Sequence, residues 1–126
     1  MLDTSVAVAL GEIPLDLLPV NTAISTLTLA ELTAGPCAVN DELERARRQD
    51  RIQRFESGVN ALPFDSNCAR AFGLVYAAAG RKARGSRVVD LMIAATALAH
   101  DLPLYTMNPK DLRGLEGLIE VVGVRT

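Results

Sequence analysis

The sequence predicts an α/β fold with a short central parallel sheet, and three features predict it. Short β-compatible segments (MLD, AIST, ALPF, PLYTM and IEVVG) alternate with longer helical ones, the order that sets strands parallel with helices packed against them. Hydrophobic residues make up 49% of the chain, enough to bury a core and too many for a disordered segment. Linkers, repeats and low-complexity tracts are not visible, so residues 1–126 read as one domain.

Taken in order, MLD reads as the end of a short first strand, with VAVAL opening a helix or turn behind it. EIPLDLLPVN, interrupted by Pro14 and Pro19, is a broken connection. Ala23 to Thr26 supply a second strand. In the helix that follows, Thr28 is the expected N-cap, Glu31 completes a capping box three residues later, and Gly35-Pro36 is the stop. Asp41 to Val59 is a charged helix with few apolar positions, Leu43, Ile52 and Phe55 among them. ALPF is a third strand, after which Asp65 or Ser66 caps a helix from Asn67 to Ala83, and Gly85 breaks the chain. Val88 to His100 forms the most apolar helix. PLYTM, the loop NPKDLRGLEG and a closing strand IEVVG complete the pattern.

Composition limits the functional classes. Cys37 and Cys68 lie far apart, form no CxxC or zinc-like spacing, and suit the free thiols of a reducing cytosol. The longest apolar run, Leu91 to Ala99, falls well short of the ~20 residues a bilayer requires. Asp3 also interrupts any signal-like apolar start. The expectation is a cytoplasmic protein without a membrane segment. Net charge is −2, which does not announce a nucleic-acid binder. The basic residues are nevertheless grouped: Arg45, Arg47, Arg48, Arg51 and Arg54 in ERARRQDRIQR, and Arg81, Lys82, Arg84 and Arg87 in RKARGSR.

The acids carry the chemical signal. In a parallel α/β sheet, ligands collect beyond the carboxyl ends of the strands. Asp3 ends the first strand, Glu31 lies in the helix after the second, and Asn108 and Asp111 follow PLYTM. Asp90 sits at the head of VVDLMIAATALA. Clustered carboxylates raise one another's pKa unless a cation neutralises them. Oxygen ligands without His or Cys favour a hard ion, Mg²⁺ or Mn²⁺. Each acid also has a local structural explanation. Asp3 and Asp111 can cap or turn, Glu31 fits the capping box, and Asp90 can complement a helix dipole. Asp90 resists that explanation best, because a carboxylate on an otherwise apolar helix is costly without a partner.

Order and context also carry a resemblance. The N-terminal LDTSV, the helix TLAEL, the segment RVVDLMIAATALAHDLPLYTMNPKDL and the final apolar strand resemble the PIN-domain superfamily. More narrowly, they resemble the VapC-type toxins of bacterial toxin–antitoxin pairs. The resemblance spans essentially the whole chain and is most specific from Asp90 to Leu112. It implies one α/β/α domain, Mg²⁺-dependent endoribonuclease activity, a homodimer and inhibition by a small VapB-like antitoxin. Asp3 and Asp90 match the family's metal-binding acids, Glu31 its second-motif acid, and Thr4 or Ser5 the hydroxyl beside the first Asp. Asn108 stands where many superfamily members carry a fourth Asp, with Asp111 nearby as a supporting acid.

The basic segments suit an RNA backbone, which arginines position without reading. With aromatics at 4% of residues, few side chains are left to stack on bases. Substrate contact is expected of Arg81, Lys82, Arg84 and Arg87. ERARRQDRIQR equally fits a solvated helix face with Glu44–Arg48 and Asp50–Arg54 pairs. His100, at a helix C-terminus, is assigned no chemistry. CARAFGLVYAAA is apolar nearly all round and must be covered on more than one side, consistent with a dimer. Two other readings compete with metal-dependent RNA hydrolysis. Phosphoryl transfer through Asp3 is weakened because Ser5, not an acid, stands two residues on. A catalytically weak PIN-like scaffold that binds RNA or a partner is kept open by Asn108.

Overall fold

The computed structural model describes residues 1–126, with the side chain of Lys82 outside the described set. In chain order the elements are α1 (Thr4–Val8), β1 (Ala23–Ser25), α2 (Thr26–Ala34), α3 (Glu42–Gly58), β2 (Asn60–Leu62), α4 (Ser66–Ala78), α5 (Arg81–Ser86), α6 (Val88–Ala99), β3 (Leu104–Thr106) and β4 (Val121–Gly123). Four short 3₁₀ turns lie between them, the last spanning Pro109–Leu112.

The sheet is parallel. Ile24 of β1 faces Ala61 of β2, and Tyr105 of β3 faces Val122 of β4. The expected first strand is reduced to Leu2, which bridges Ile24 on one side and Tyr105 on the other and so joins the two strand pairs. Leu2 N donates to Ala23 O (2.8 Å), Tyr105 N to Met1 O (2.8 Å) and Asp3 N to Tyr105 O (3.0 Å). Pairing stops there because Asp3 turns the chain straight into α1 as its N-cap. The N-terminal amine is anchored by donating to Pro103 O at 2.7 Å.

Side chains alternate across this sheet as the strand period requires. Leu104, Leu62 and Val121 join a core with Val75 of α4 and Leu91, Ile93 and Ala94 of α6. Leu2, Ile24, Tyr105 and Val122 join a second core with Val6 of α1, Leu32 of α2 and Ile52 and Phe55 of α3. The result is helices on both faces of a small parallel sheet, the α/β/α arrangement that the resemblance implies.

Three element boundaries differ from expectation. Thr28 is not the cap of α2. Ser25, one residue before the helix, caps it by accepting from Thr28 N at 3.0 Å, because β1 runs into α2 without a loop. The helix expected to reach Ala83 ends at Ala78, and α5 starts separately behind the extended N-cap Gly80. The Arg84 guanidinium supports that break by donating to Tyr76 O (2.9 Å) and Ala77 O (3.0 Å), carbonyls that the end of α4 leaves without helical partners. The third strand lies at Asn60–Leu62 rather than over ALPF, since Pro63 has no N–H to continue a ladder. Among the described residues, no helix is long and apolar enough to cross a membrane.

Candidate active site

The acids converge where Leu2, β1 and β3 end. Asp3 is fixed first: its Oδ1 accepts from Val6 N (3.1 Å) and from the Ser5 hydroxyl (2.6 Å). Ser5 Oγ in turn accepts from Met107 N (3.0 Å), so one serine ties the turn after Leu2 to the exit of β3. Thr4 points the other way. Its hydroxyl donates to Glu31 Oε1 at 2.5 Å and lies 3.1 Å from the hydroxyl of the fully buried Thr28. Thr28 rests on Ser25, the cap of α2. A row of hydroxyls therefore runs from the sheet to the Glu31 carboxylate.

Asp90 enters from the first turn of α6 and is partly buried. Its carboxyl is held above the ordinary value, first by burial and next by the negative charges of Glu31 and Asp3, with Arg87 opposing. Those causes place the three acids within electrostatic reach of one another. Arg87 supplies the counter-charge: its Nη1 is 2.9 Å from Asp111 Oδ2 and 3.5 Å from Asp90 Oδ2. Asp3, Ser5, Arg87, Asp90, Asn108 and Asp111 line one cavity of about 60 Å³, room for a cation with a few waters. Its floor is apolar, with Ile93 and Leu104.

The sequence-predicted set therefore sorts clearly. Asp3, Ser5, Asp90, Asn108 and Asp111 share the cavity, and Thr4 and Glu31 stand beside it. Asn108 is positioned through its backbone, whose N–H donates to Thr106 Oγ1 at 3.0 Å. The donors are all oxygens, the set that fits a hard divalent cation. Among the described residues, Asp3, Glu31 and Asp90 do not form a set with ligand atoms within 4.8 Å of one another; Asp65, Cys68 and His100 do. The reason is visible in the contacts: Thr4 holds Glu31, Ser5 holds Asp3, and Arg87 draws on Asp90.

The basic residues divide. Arg87 lies on the acids, Arg84 is engaged with the end of α4 and stacks over Tyr76 at 5.2 Å, and Arg81 is exposed. The expectation for Lys82 falls on a side chain outside the described residues. On α3 the predicted pairs form, Arg48–Glu44 at 3.1 Å and Arg54–Asp50 at 2.9 Å. A larger hollow of about 350 Å³ lies between α1 and α3, lined by Val8, Arg47, Arg51 and Arg54. Its acids are Glu12 and the Arg54-paired Asp50, so size alone does not mark the chemistry. Sequence reasoning missed the bridging place of Arg87, although its spacing three residues before Asp90 was a helical-pair signal.

Comparison with known proteins agrees with this geometry. A family model described as the PIN domain matches residues 1–115. Ribonuclease VapC5 of Mycobacterium tuberculosis is 31% identical, over 99% of this chain and 93% of its own length. Ribonuclease VapC2 of Rickettsia felis is 30% identical, over 94% and 93% respectively. Among solved structures, VapBC-5 from Mycobacterium tuberculosis, a member of the VapBC family of toxin–antitoxin systems, superposes with a TM-score of 0.79 at 31% identity, covering 99% of this chain and 96% of that one. VapBC2 from Rickettsia felis, bound to a DNA fragment from its promoter, gives 0.72 at 25% identity over 99% and 98%. With the acids gathered at the ends of a small parallel sheet, the chain belongs to the PIN-domain family, in its VapC group.

Proposed function

We propose that this chain is a Mg²⁺-dependent endoribonuclease, the toxin of a type II toxin–antitoxin pair. One observation carries the reading: Asp3, Asp90, Asn108 and Asp111 converge on a single small cavity, with Asp90 raised by burial and by the charges of Glu31 and Asp3. A cation relieves that strain directly. Asp3 and Asp90 would hold the ion, with Glu31, Asn108 and Asp111 in support. When bound, Mg²⁺ supplies Lewis acidity, a water of lowered pKa and offset of phosphoryl charge.

The protein's own residues prepare that step. The Val6 N–H and the Ser5 hydroxyl both bind Asp3 Oδ1 and so fix the carboxylate that would hold the ion. Thr4 holds Glu31 within electrostatic range of Asp90. Arg87, at the cavity edge, can exchange a carboxylate for an RNA phosphate, and Arg81, Lys82 and Arg84 continue the basic segment along α5.

Partners follow the same reading. The relatives described as VapBC complexes support a VapB-like antitoxin. Leu74, Tyr76, Val88 and Val89 are exposed on α4 and α6 and suit a homodimer contact. Both hydrophobic cores close on one sheet, which supports residues 1–126 acting as one domain. An RNA substrate supports a reaction in the cytoplasm. The scaffold reading retains one argument, the neutral Asn108 on the cavity wall. Incubating the purified chain with a mixed RNA pool separates the two. Cleavage in Mg²⁺ that stops with EDTA and returns with Mn²⁺ supports the nuclease; binding without metal-dependent cleavage supports the scaffold.

A further inference from the structure

The acid cavity is not the only place where metal-ligand side chains meet. Asp65 is the N-cap of α4, Cys68 lies in that helix's first turn, and His100 is the C-cap of α6. Their ligand atoms all lie within 4.8 Å of one another. We propose that Asp65, Cys68 and His100 form a second metal site, selective for a borderline-soft divalent ion of the Zn²⁺ class.

The donor chemistry argues for this ion. A thiolate, an imidazole and a carboxylate are the mixed set that binds Zn²⁺, at about 2.3, 2.0 and 2.1 Å. Tetrahedral bonds of those lengths put donors roughly 3.3–3.7 Å apart, so the three atoms need to close by no more than about 1.5 Å. The inner ligand is fixed and the outer two can move, since Cys68 is fully buried while Asp65 and His100 are exposed. Asp65 already faces the thiol. Its Oδ1 caps α4 through Cys68 N at 3.0 Å, and its carboxylate is within hydrogen-bond reach of the Cys68 side chain. The Cys68 thiol lies 3.5 Å from Pro63 O and within hydrogen-bond reach of Asp65 and Thr96. Water takes the fourth position on the exposed side.

This site is separate from the acid cavity. His100 is ten residues along the chain from Asp90, about 15 Å at helical rise. The two sites also differ in softness: oxygens alone in one, nitrogen, sulfur and oxygen in the other. An ion here pins the start of α4 to the end of α6, two helices that share a core.

Co²⁺ titration of the full reduced chain tests it, because a thiolate ligand gives cobalt a near-ultraviolet charge-transfer band that an all-oxygen site lacks. The wild type is expected to bind one equivalent with that band, displaced by Zn²⁺. The band survives in Cys37→Ser, which removes the exposed free thiol, and is lost in Cys68→Ser. Asp65→Asn keeps a competent helix cap, and His100→Gln alters an exposed side chain. Both should fold, and both should bind more than about 10-fold more weakly, since even outer-shell losses reach that size. No band in the wild type, a band that persists in Cys68→Ser, or wild-type affinity in His100→Gln overturns the proposal.

Discussion

Replacing Asp90 with Asn tests the acid cavity at its most constrained member. The change keeps shape and removes charge. In the metal-free protein two effects oppose each other. The Arg87–Asp90 pair is lost, but at 3.5 Å and with side chains 36% and 41% exposed it contributes at most about 1 kcal/mol. Arg87 also keeps its shorter contact with Asp111. Against this loss stand the burial cost of the carboxylate and its repulsion by Glu31 and Asp3, which outweigh Arg87 because the carboxyl is raised overall. The sign follows by linkage. An acid whose folded-state pKa is raised destabilises the fold while ionised, and the penalty is relieved as pH falls through the folded value. At neutral pH Asp90→Asn should therefore be as stable as wild type or slightly more so, within about 1 kcal/mol or roughly 4 °C for a chain of this size. The difference should shrink as the medium is acidified below the raised value. Activity should move the other way, with Mg²⁺-dependent RNA cleavage falling at least about 100-fold, the upper range for loss of mere outer-shell partners. Thermal melts across pH and cleavage of labelled RNA measure both. Cleavage at the wild-type rate would refute the metal assignment. A stability loss above about 2 kcal/mol would mean the carboxylate is held by favourable partners and refute the electrostatic argument.

Three further substitutions probe the surrounding residues. Thr4→Val removes the 2.5 Å bond to Glu31; cleavage should drop about 10-fold with stability changed by no more than about 1.5 kcal/mol, and Thr4→Ser should recover most of the rate. Arg87→Ala should tighten Mg²⁺ binding several-fold in titration calorimetry, because a competing cation leaves Asp90 and Asp111. It should also flatten the salt dependence of RNA binding by about 0.7 in the log–log slope if Arg87 contacts a phosphate; an unchanged slope removes it from the substrate path. Asn108→Asp should tighten Mg²⁺ binding by adding charge to the cavity wall, whereas an unchanged or weaker affinity places that side chain away from the ion.

Much of the fold was legible because strands here are short, β-compatible and separated by helices with strong local signals. Asp41 caps α3 and Asp65 caps α4, both within a residue of the predicted starts. Where expectation failed, backbone chemistry or a contact outside the motif had overridden the local pattern. The TLAEL capping box is a good local motif, yet α2 is capped by Ser25 because β1 delivers the chain directly into it. The ALPF strand is shifted by the missing N–H of Pro63. The division of α4 from α5 depends on the Arg84 guanidinium reaching back to Tyr76 and Ala77 carbonyls, a bond between residues seven and eight positions apart that no helical period announces.

The site was legible by a different route, from the expense of its residues. Asp3 and Asp90 each interrupt an apolar run, and an ionised group in such a place needs a partner. The sheet explains the meeting, because one end of a parallel sheet gathers the turns that follow every strand. That reasoning reads individual costs and is blind to how they are offset. Arg87 looked free to meet a phosphate, but in the folded protein it bridges Asp90 and Asp111. It therefore acts as an internal cation for the acids and, on the proposed reading, would compete with a metal for the same carboxylates. This also accounts for Asp111, expected as a supporting acid near Asn108: its 2.9 Å contact is to the arginine. On the proposed reading, Arg87 would hold an RNA phosphate and Asp90 would hold Mg²⁺, so each ligand would remove the other's competitor. Mg²⁺ should then bind more tightly in the presence of a short, uncleavable RNA than alone, and in Arg87→Ala that coupling should disappear. Equal enhancement in both proteins would mean that the arginine is not the link between the two ligands.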